Sequence, residues 1–307
     1  MTSEAFQTDV HFFPVRKTTQ FYLRQARESF AKPAFVAKNP HYGAYLTIYF
    51  KEKPEVKPKM IIKDEKGNQV FEIRMPQKKG LQRKTWNLQY IPKTKEGEQI
   101  KPGGVAMAGF LYAKPGRYAG ELVIGERTLS QEIAFHPDPR APIADSAWGA
   151  QKEVFIDALV MSKKMGLSVT AVRKIRRQWD KLSQDIEEKS SLQDDTKKQL
   201  DQFESKLKKM EDELVPTGSF LGGSREMALR GGPLSFRIMF LVGNLGSYPK
   251  TPTATDRQQI RDLTELVSGF VESVNGLIQE DIPELNKILE ANNLKAIKAP
   301  DIVDFEL

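Results

Sequence analysis

From Gly43 to Phe50 (GAYLTIYF) the chain alternates between apolar Ala44, Leu46, Ile48 and Phe50 and the more polar Tyr45, Thr47 and Tyr49. A two-residue period predicts a strand with one buried face. Related runs follow. KMIIKDEKGNQVFEIRM (59–75) gives two strands around a turn at Lys66, Gly67 and Asn68. LQRKTWNLQYI (81–91) gives a strand that carries Trp86, and RYAGELVIGERTLSQEIAFH (117–136) gives two strands bent at Gly125 and Glu126. On the Trp86 strand, Trp86, Leu88 and Tyr90 share the face that should meet the core. Their apolar neighbours make core packing a better reading of Trp86 than a sugar-stacking platform. Short strands separated by turn signals predict an antiparallel β-sandwich over residues 42–137.

HPDPRAPIADSAWG (136–149) has three prolines in seven positions and marks the exit from the sheets. Beyond it the period lengthens. Val172, Ile175, Trp179, Leu182 and Ile186 step by three and four residues, and Leu200, Phe203, Leu207, Met210 and Leu214 do the same after the polar link EKSSLQDD. This is the apolar stripe of two helices folded back as a hairpin. LSFRIMFLVGNLG predicts a shorter apolar helix. Ile260, Leu263, Val267, Phe270, Val274 and Leu277 predict a last one, whose start is expected at a capping box of Thr255 and Gln258. The domains expected are an N-terminal extension or linker over 1–41, the sandwich over 42–137, a linker over 138–150 and an α-helical bundle over 151–307.

Charge changes this picture little. Of 47 Lys+Arg and 40 Asp+Glu, residues 1–149 hold 24 and 15, so the first half is basic and the second nearly neutral. A basic half keeps nucleic-acid binding open as a third reading, with steep salt dependence as its mark. The lysines of FKEKPEVKPKMIIKDEKG, however, fall on strand faces and turns, where a solvated charge protects a sheet edge. RKIRR (173–177) wraps a helix whose apolar stripe claims Ile175, and no aromatic residue interleaves with it for base stacking. It reads as a solvated face countered by Asp180, Asp185, Glu187 and Glu188. The chain has no cysteine, which excludes disulfides and thiolate metal sites. No apolar run reaches the roughly 18 residues of a membrane span. The first thirty residues carry Asp9, Arg16, Lys17, Arg24 and Arg27 in place of a signal-peptide core.

The residues supply no constellation for catalysis, a cofactor or a metal. His11, His41 and His136 are scattered without metal-ligand spacing. GSFLGGS (218–224) lacks the Gly-Lys-Ser/Thr ending of a phosphate loop, and no Gly-x-Ser-x-Gly elbow occurs. The acidic pairs Glu187/Glu188 and Asp194/Asp195 sit at the tip of the helical hairpin, away from any cleft of the kind that glycosidase carboxylates need.

The order of DVHFFPVR, NPHYGAYLTIYF, IKDEKGNQV, GLQRKTWNLQY, KPGRYAGELVIG, TPTATDRQQIRDL and DIPELNKIL resembles the C-terminal region of large bacterial sialidase- or sortilin-like propeller proteins, often labelled BNR-repeat or YVTN-like glycosyl hydrolases. The family strand Leu-x-x-x-x-Trp-Asp is matched by Leu81 and Trp86, with Asn87 in place of Asp. The turn Pro-Gly-Thr-Tyr is matched by Pro115, Gly116 and Tyr118, with Arg117 in place of Thr. The resemblance implies an Ig-like sandwich followed by helices, with any catalytic groups in a propeller that this chain lacks. It implies a non-catalytic accessory or scaffold region, a β-propeller as partner in cis or in trans, and a cell-envelope or secreted setting. The alternative is a glycan-directed hydrolase or a carbohydrate-binding module, whose mark would be an exposed aromatic row beside polar hydrogen-bonding groups. Phe6, Phe12, Phe13, Phe21 and Tyr22 give the segment before the sandwich more apolar surface than a free terminus leaves in water. They are the expected interaction residues.

Overall fold

The structure, a computed structural model, describes residues 6–21, 40–93, 97, 100, 111–140, 143–188, 193–214, 232–247 and 249–306. They divide into two compact units, one within 1–92, 110–148 and 248–250, the other within 93–109, 149–247 and 251–307. The chain is a mixture of β-sheets and helices, as its two periods predict.

The first unit is built from ten strands: β1 (Val10–Phe12), β2 (Thr18–Gln20), β3 (Ala44–Phe50), β4 (Lys59–Lys63), β5 (Gln69–Arg74), β6 (Gly80–Trp86), β7 (Gln89–Tyr90), β8 (Leu111–Tyr112), β9 (Gly116–Ile124) and β10 (Arg127–Pro137). They form a three-stranded sheet in the order β1-β3-β6, a curled five-stranded half-barrel in the order β2-β10-β9-β4-β5, and a two-stranded ladder β7-β8. One apolar core takes residues from both larger sheets: Phe12, Leu46, Ile48, Phe50 and Trp86 from the first, and Met60, Ile62, Leu122, Ile133 and Phe135 from the second. Each such side chain contributes about 1.5–3 kcal/mol by leaving water.

Two strands lie before residue 42, in the stretch expected as an extension. β1 pairs antiparallel with β3 (Val10↔Phe50, Phe12↔Ile48), and β2 pairs parallel with the end of β10 (Thr18↔Phe135, Gln20↔Pro137). Three residues are too few to show alternation, and partners this distant leave no local mark, so the sequence pattern passes over both strands. The Trp86 strand also differs from the single run expected. It breaks after Trp86, where Leu88 takes φ 59°, and restarts as β7. Trp86 and Leu88 are fully buried and Tyr90 is half-buried against the core, so the inward face survives the break. The Trp86 indole donates to Gln89 O at 2.9 Å and meets Tyr118 and Phe135 edge-on at 5.1 and 5.6 Å. Gly43 makes room for this corner: at φ 115° any Cβ would stand 2.0 Å from Trp86 O. The Lys66–Asn68 turn forms where expected, with Asp64 Oδ1 accepting from the backbone N–H of Lys66 and Asn68.

The helices are α1 (Asp145–Glu188), α2 (Asp194–Leu214), α3 (Leu234–Leu245), α4 (Ala254–Gly276) and α5 (Ile282–Ala291), with α4 and α5 joined through a π-turn at Leu277–Asp281. α1 begins inside the expected linker, because the last proline of that stretch is Pro142 and Asp145 supplies the acidic first turn. The predicted stripes are the buried ones: Val172, Ile175, Trp179 and Leu182 on α1, Leu200 to Leu214 on α2, and Ile260 to Val274 on α4, while Ile186 is only half-buried. The capping box of α4 lies two residues earlier than Thr255 and Gln258. Thr253 Oγ1 accepts from Asp256 N at 3.1 Å while Asp256 Oδ2 accepts from Thr253 N at 2.9 Å, and Gln258 instead donates to Asp262. Asp at the third position closes the same reciprocal pair that Glu or Gln would.

Candidate interaction face on the three-stranded sheet

Because Ala44, Leu46, Ile48 and Phe50 are all turned into the core, Tyr45, Thr47 and Tyr49 must stand on the opposite face of β3. Register adds their neighbours. Arg83 lies beside Thr47, Thr85 beside Tyr45, Leu81 beside Tyr49, and His11 of β1 flanks Tyr49 on the other side. The Arg83 guanidinium lies 5.6 Å from the centre of the Tyr45 ring, and its Nε donates to Thr47 Oγ1 at 3.1 Å. Phe6 meets Tyr49 edge-on at 4.9 Å, and His11 meets Phe13 at 4.6 Å.

Beyond β1 the backbone N–H of Phe13 still pairs with Thr47 O at 3.0 Å, after which Pro14 leads the chain across to β2 in the five-stranded sheet. This crossing leaves a groove of about 600 Å³, lined chiefly by Phe13, Pro14, Arg16, Lys17, Tyr45 and Arg83. Arg16, Lys17 and Arg83 are exposed, and among the described residues none of the three has an ion-pair partner. Among the described residues no carboxylate lines the groove. Three cations without an ion-pair partner among the described residues raise the local positive potential and favour an anion. The planar fork of Arg83, already oriented by Thr47 and Tyr45, suits a carboxylate or a phosphate. The groove has the shape and charge to orient an anionic ligand, and among the described residues its lining includes no base set against a nucleophile. Lys17 also borders a second depression of about 300 Å³ at Arg117 and His136, where Arg117 is engaged by Glu132 at 3.2 Å.

The structure separates the expected interaction residues. Phe6 (44% exposed) and Phe13, which is half-buried, belong to this face. Phe12 is a core residue, 3% exposed, because it alternates with His11 on β1, and it has no surface to offer a partner. Phe21 is exposed at the end of β2 in the other sheet, beneath the Arg140 guanidinium at 5.8 Å. Tyr22 lies outside the described residues. Reading the sequence missed Tyr45, Tyr49 and Arg83. The signal available was an aromatic residue at both flanking outward positions of β3, where a solvated face ordinarily carries small or charged side chains.

The other candidates lie elsewhere. Within RKIRR, Arg176 is turned toward α2, where Glu211 accepts from its Nε and Nη2 (3.0 and 2.7 Å) and Glu204 from its Nη1 (2.7 Å). Asp180 is at 3.5 Å, so the main counter-charges come from the facing helix. Burial opposes the Arg176 charge, but its bonds to Glu211 and Glu204 outweigh that cost and hold it more firmly protonated than an ordinary arginine. Arg173, Lys174 and Arg177 are exposed. GSFLGGS and the side chains of Glu187 and Glu188 fall outside the described residues. Asp194 and Asp195 form the exposed first turn of α2, a favourable place for negative charge. Among the described residues no group of His, Asp and Glu is arranged to hold a metal, and no helix is long and apolar enough to cross a membrane. No family model, no curated protein and no solved structure matches the chain.

Proposed function

We propose that this chain is a non-catalytic interaction region, an Ig-like sandwich followed by a helical bundle, which serves as an accessory to a sialidase- or sortilin-like β-propeller in cis or in trans. The observation that carries this reading is the face of Phe6, Phe13, Tyr45, Tyr49 and Arg83 beside Arg16 and Lys17, which have no ion-pair partner among the described residues. Aromatic residues and arginine are the types enriched where proteins meet. The Ig-like reading draws support from Trp86, which meets Tyr118 and Phe135 of the facing sheet. It draws further support from Tyr118 itself, whose hydroxyl donates to Lys114 O at 2.7 Å, four residues upstream, as in a tyrosine corner.

The coding sequence beside that of this chain is then expected to encode a propeller. Arg16→Glu combined with Arg83→Glu should weaken binding of that purified propeller at least about tenfold, or roughly 1.4 kcal/mol, with the thermal transition unchanged. Absence of a neighbouring propeller, or unaltered binding, overturns the accessory reading. A carbohydrate-binding module is the second reading, and the tyrosines of β3 beside Arg83 and Thr47 favour it. Binding of uronic or sialic acid oligosaccharides that is lost in Tyr45→Ala, together with indifference to the propeller, would establish it.

A further inference from the structure

β1 leaves its sheet before β3 ends. It pairs with Ile48–Phe50 of β3, and the last rung of that ladder is the bond from Phe13 N to Thr47 O at 3.0 Å. Pro14, which has no N–H to offer, then takes the chain away toward β2. β3 extends past this rung through Leu46 and Tyr45 to Ala44, paired there with β6 on its other side. The residues of a strand direct their main-chain groups alternately to one neighbour and to the other. Thr47 O points to β1, so the N–H and C=O of Tyr45, two residues away, point the same way, into the place that β1 has vacated. Among the described residues no strand continues the ladder there. An extended peptide that adds itself to a sheet pairs with an edge of this kind.

The vacated place coincides with the groove of Phe13, Arg16, Lys17, Tyr45 and Arg83. Residues opposed on neighbouring strands share a face. A residue set beside Tyr45 would therefore carry its side chain on the outer face, next to the Arg83 guanidinium that lies 5.6 Å from the centre of the Tyr45 ring. Arg83 commits its Nε to Thr47 Oγ1, and among the described residues neither of its Nη groups is engaged, which leaves both to one carboxylate. A nucleic-acid phosphate would answer the cations and leave the main-chain edge unmet. An acidic peptide answers both.

Building on the interaction reading of this face, we infer that the partner docks by strand addition. An extended segment of it takes up the line of β1, pairs with the N–H and C=O of Tyr45, and sets an Asp or Glu carboxylate on Arg83 in the field of Arg16 and Lys17.

The test uses the full chain and a blocked synthetic peptide, Thr-Val-Glu-Val-Glu-Val-Thr, whose glutamates fall on one face and whose valines fall on the other. In the free chain the amide of Tyr45 should exchange at least about tenfold faster than those of Leu46 and Ile48, which point to β6. The peptide should bind with a Kd below about 1 mM and slow exchange at Tyr45. Glutamine in place of both glutamates, or Arg83→Gln in the chain, should weaken binding at least about tenfold. N-methylation of the two glutamate residues, which keeps the charges and removes the donors, should do the same. A free Tyr45 amide as slow as that of Ile48 overturns strand addition, because the edge is then already taken. No binding at about 1 mM overturns it as well. So does equal binding of the N-methylated peptide or of a short oligothymidylate, the mark of simple anion capture. None of these readouts involves a propeller. Failure of the peptide beside weakened propeller binding in the Arg16→Glu, Arg83→Glu chain refutes strand addition alone, whereas success of the peptide without any propeller binding refutes the accessory reading alone.

Discussion

In the sheet unit Trp86 is held by Tyr118 and Phe135, and Gln131 reaches back to donate to Phe12 O at 2.9 Å. In the helical hairpin Arg176 is held by Glu204 and Glu211, and Trp179 lies 4.9 Å from Phe203. The first set of contacts joins strands that the sequence keeps far apart, and each removal disturbs both sheets. The second joins adjacent helices whose stripes recur every three or four residues, so a single loss is shared among many similar contacts. One large aromatic should therefore matter more to the sheets than any single charged clamp matters to the helices.

Trp86→Ala is the strongest way to break this contrast. It should cost about 3–5 kcal/mol and abolish the near-ultraviolet signal of the sheet unit at low denaturant, while far-ultraviolet helical ellipticity persists. Simultaneous loss of both signals would mean that the two units do not fail separately. Arg176→Ala comes next, at about 1–3 kcal/mol, read as an earlier urea midpoint of the helical signal. Arg176→Lys should recover only part of this, since an ammonium cannot span Glu204 and Glu211 as the guanidinium fork does. The smallest effect is expected at Tyr118. Burial, with help from Asp64 and Glu65, raises its phenol above the ordinary tyrosine value of 10.0. Above about pH 10 the unfolded chain therefore releases a proton that the folded chain keeps, and stability falls as pH rises. Tyr118→Phe should make that fall shallower and cost about 0.5–1.5 kcal/mol at neutral pH through the lost bond to Lys114 O. An identical alkaline slope in the variant would place the titration on another residue.

The same contrast explains what could be read in advance. The stripes of α1, α2 and α4 are local facts of spacing, and each was legible residue by residue from Val172 to Val274. So were β3, the β4–β5 hairpin and the β9–β10 hairpin, where alternation and a turn lie together. β1 and β2 were not, because their partners in β3 and β10 lie far along the chain. The face of Phe13, Tyr45 and Arg83 was hidden for the same reason, since register places Arg83 beside Thr47 and no spacing announces it. Leu88 broke its strand because a left-handed residue there lets Leu88 O accept from Ala113 N at 2.8 Å, a choice that a leucine codon does not advertise. Residues 294–306 went unread because Asn286, Gln178 and Asn275 bind the backbone of Ile297, Lys298 and Val303 and leave no periodic mark on the sequence.

The parallel pairing of β2 with the end of β10 sets a timetable for synthesis. Thr18 leaves the ribosome well ahead of its partner Phe135, which emerges only after most of the sheet unit has been made. At about 5–20 residues per second the wait is on the order of 6–23 s. Over that interval β3 and β4 can already present Leu46, Ile48, Met60 and Ile62 while Ile133 and Phe135, which complete their core, have yet to appear. Lys59 and Lys63, at the two ends of β4, then act as gatekeepers of the nascent chain and discourage it from pairing with another copy until β10 arrives.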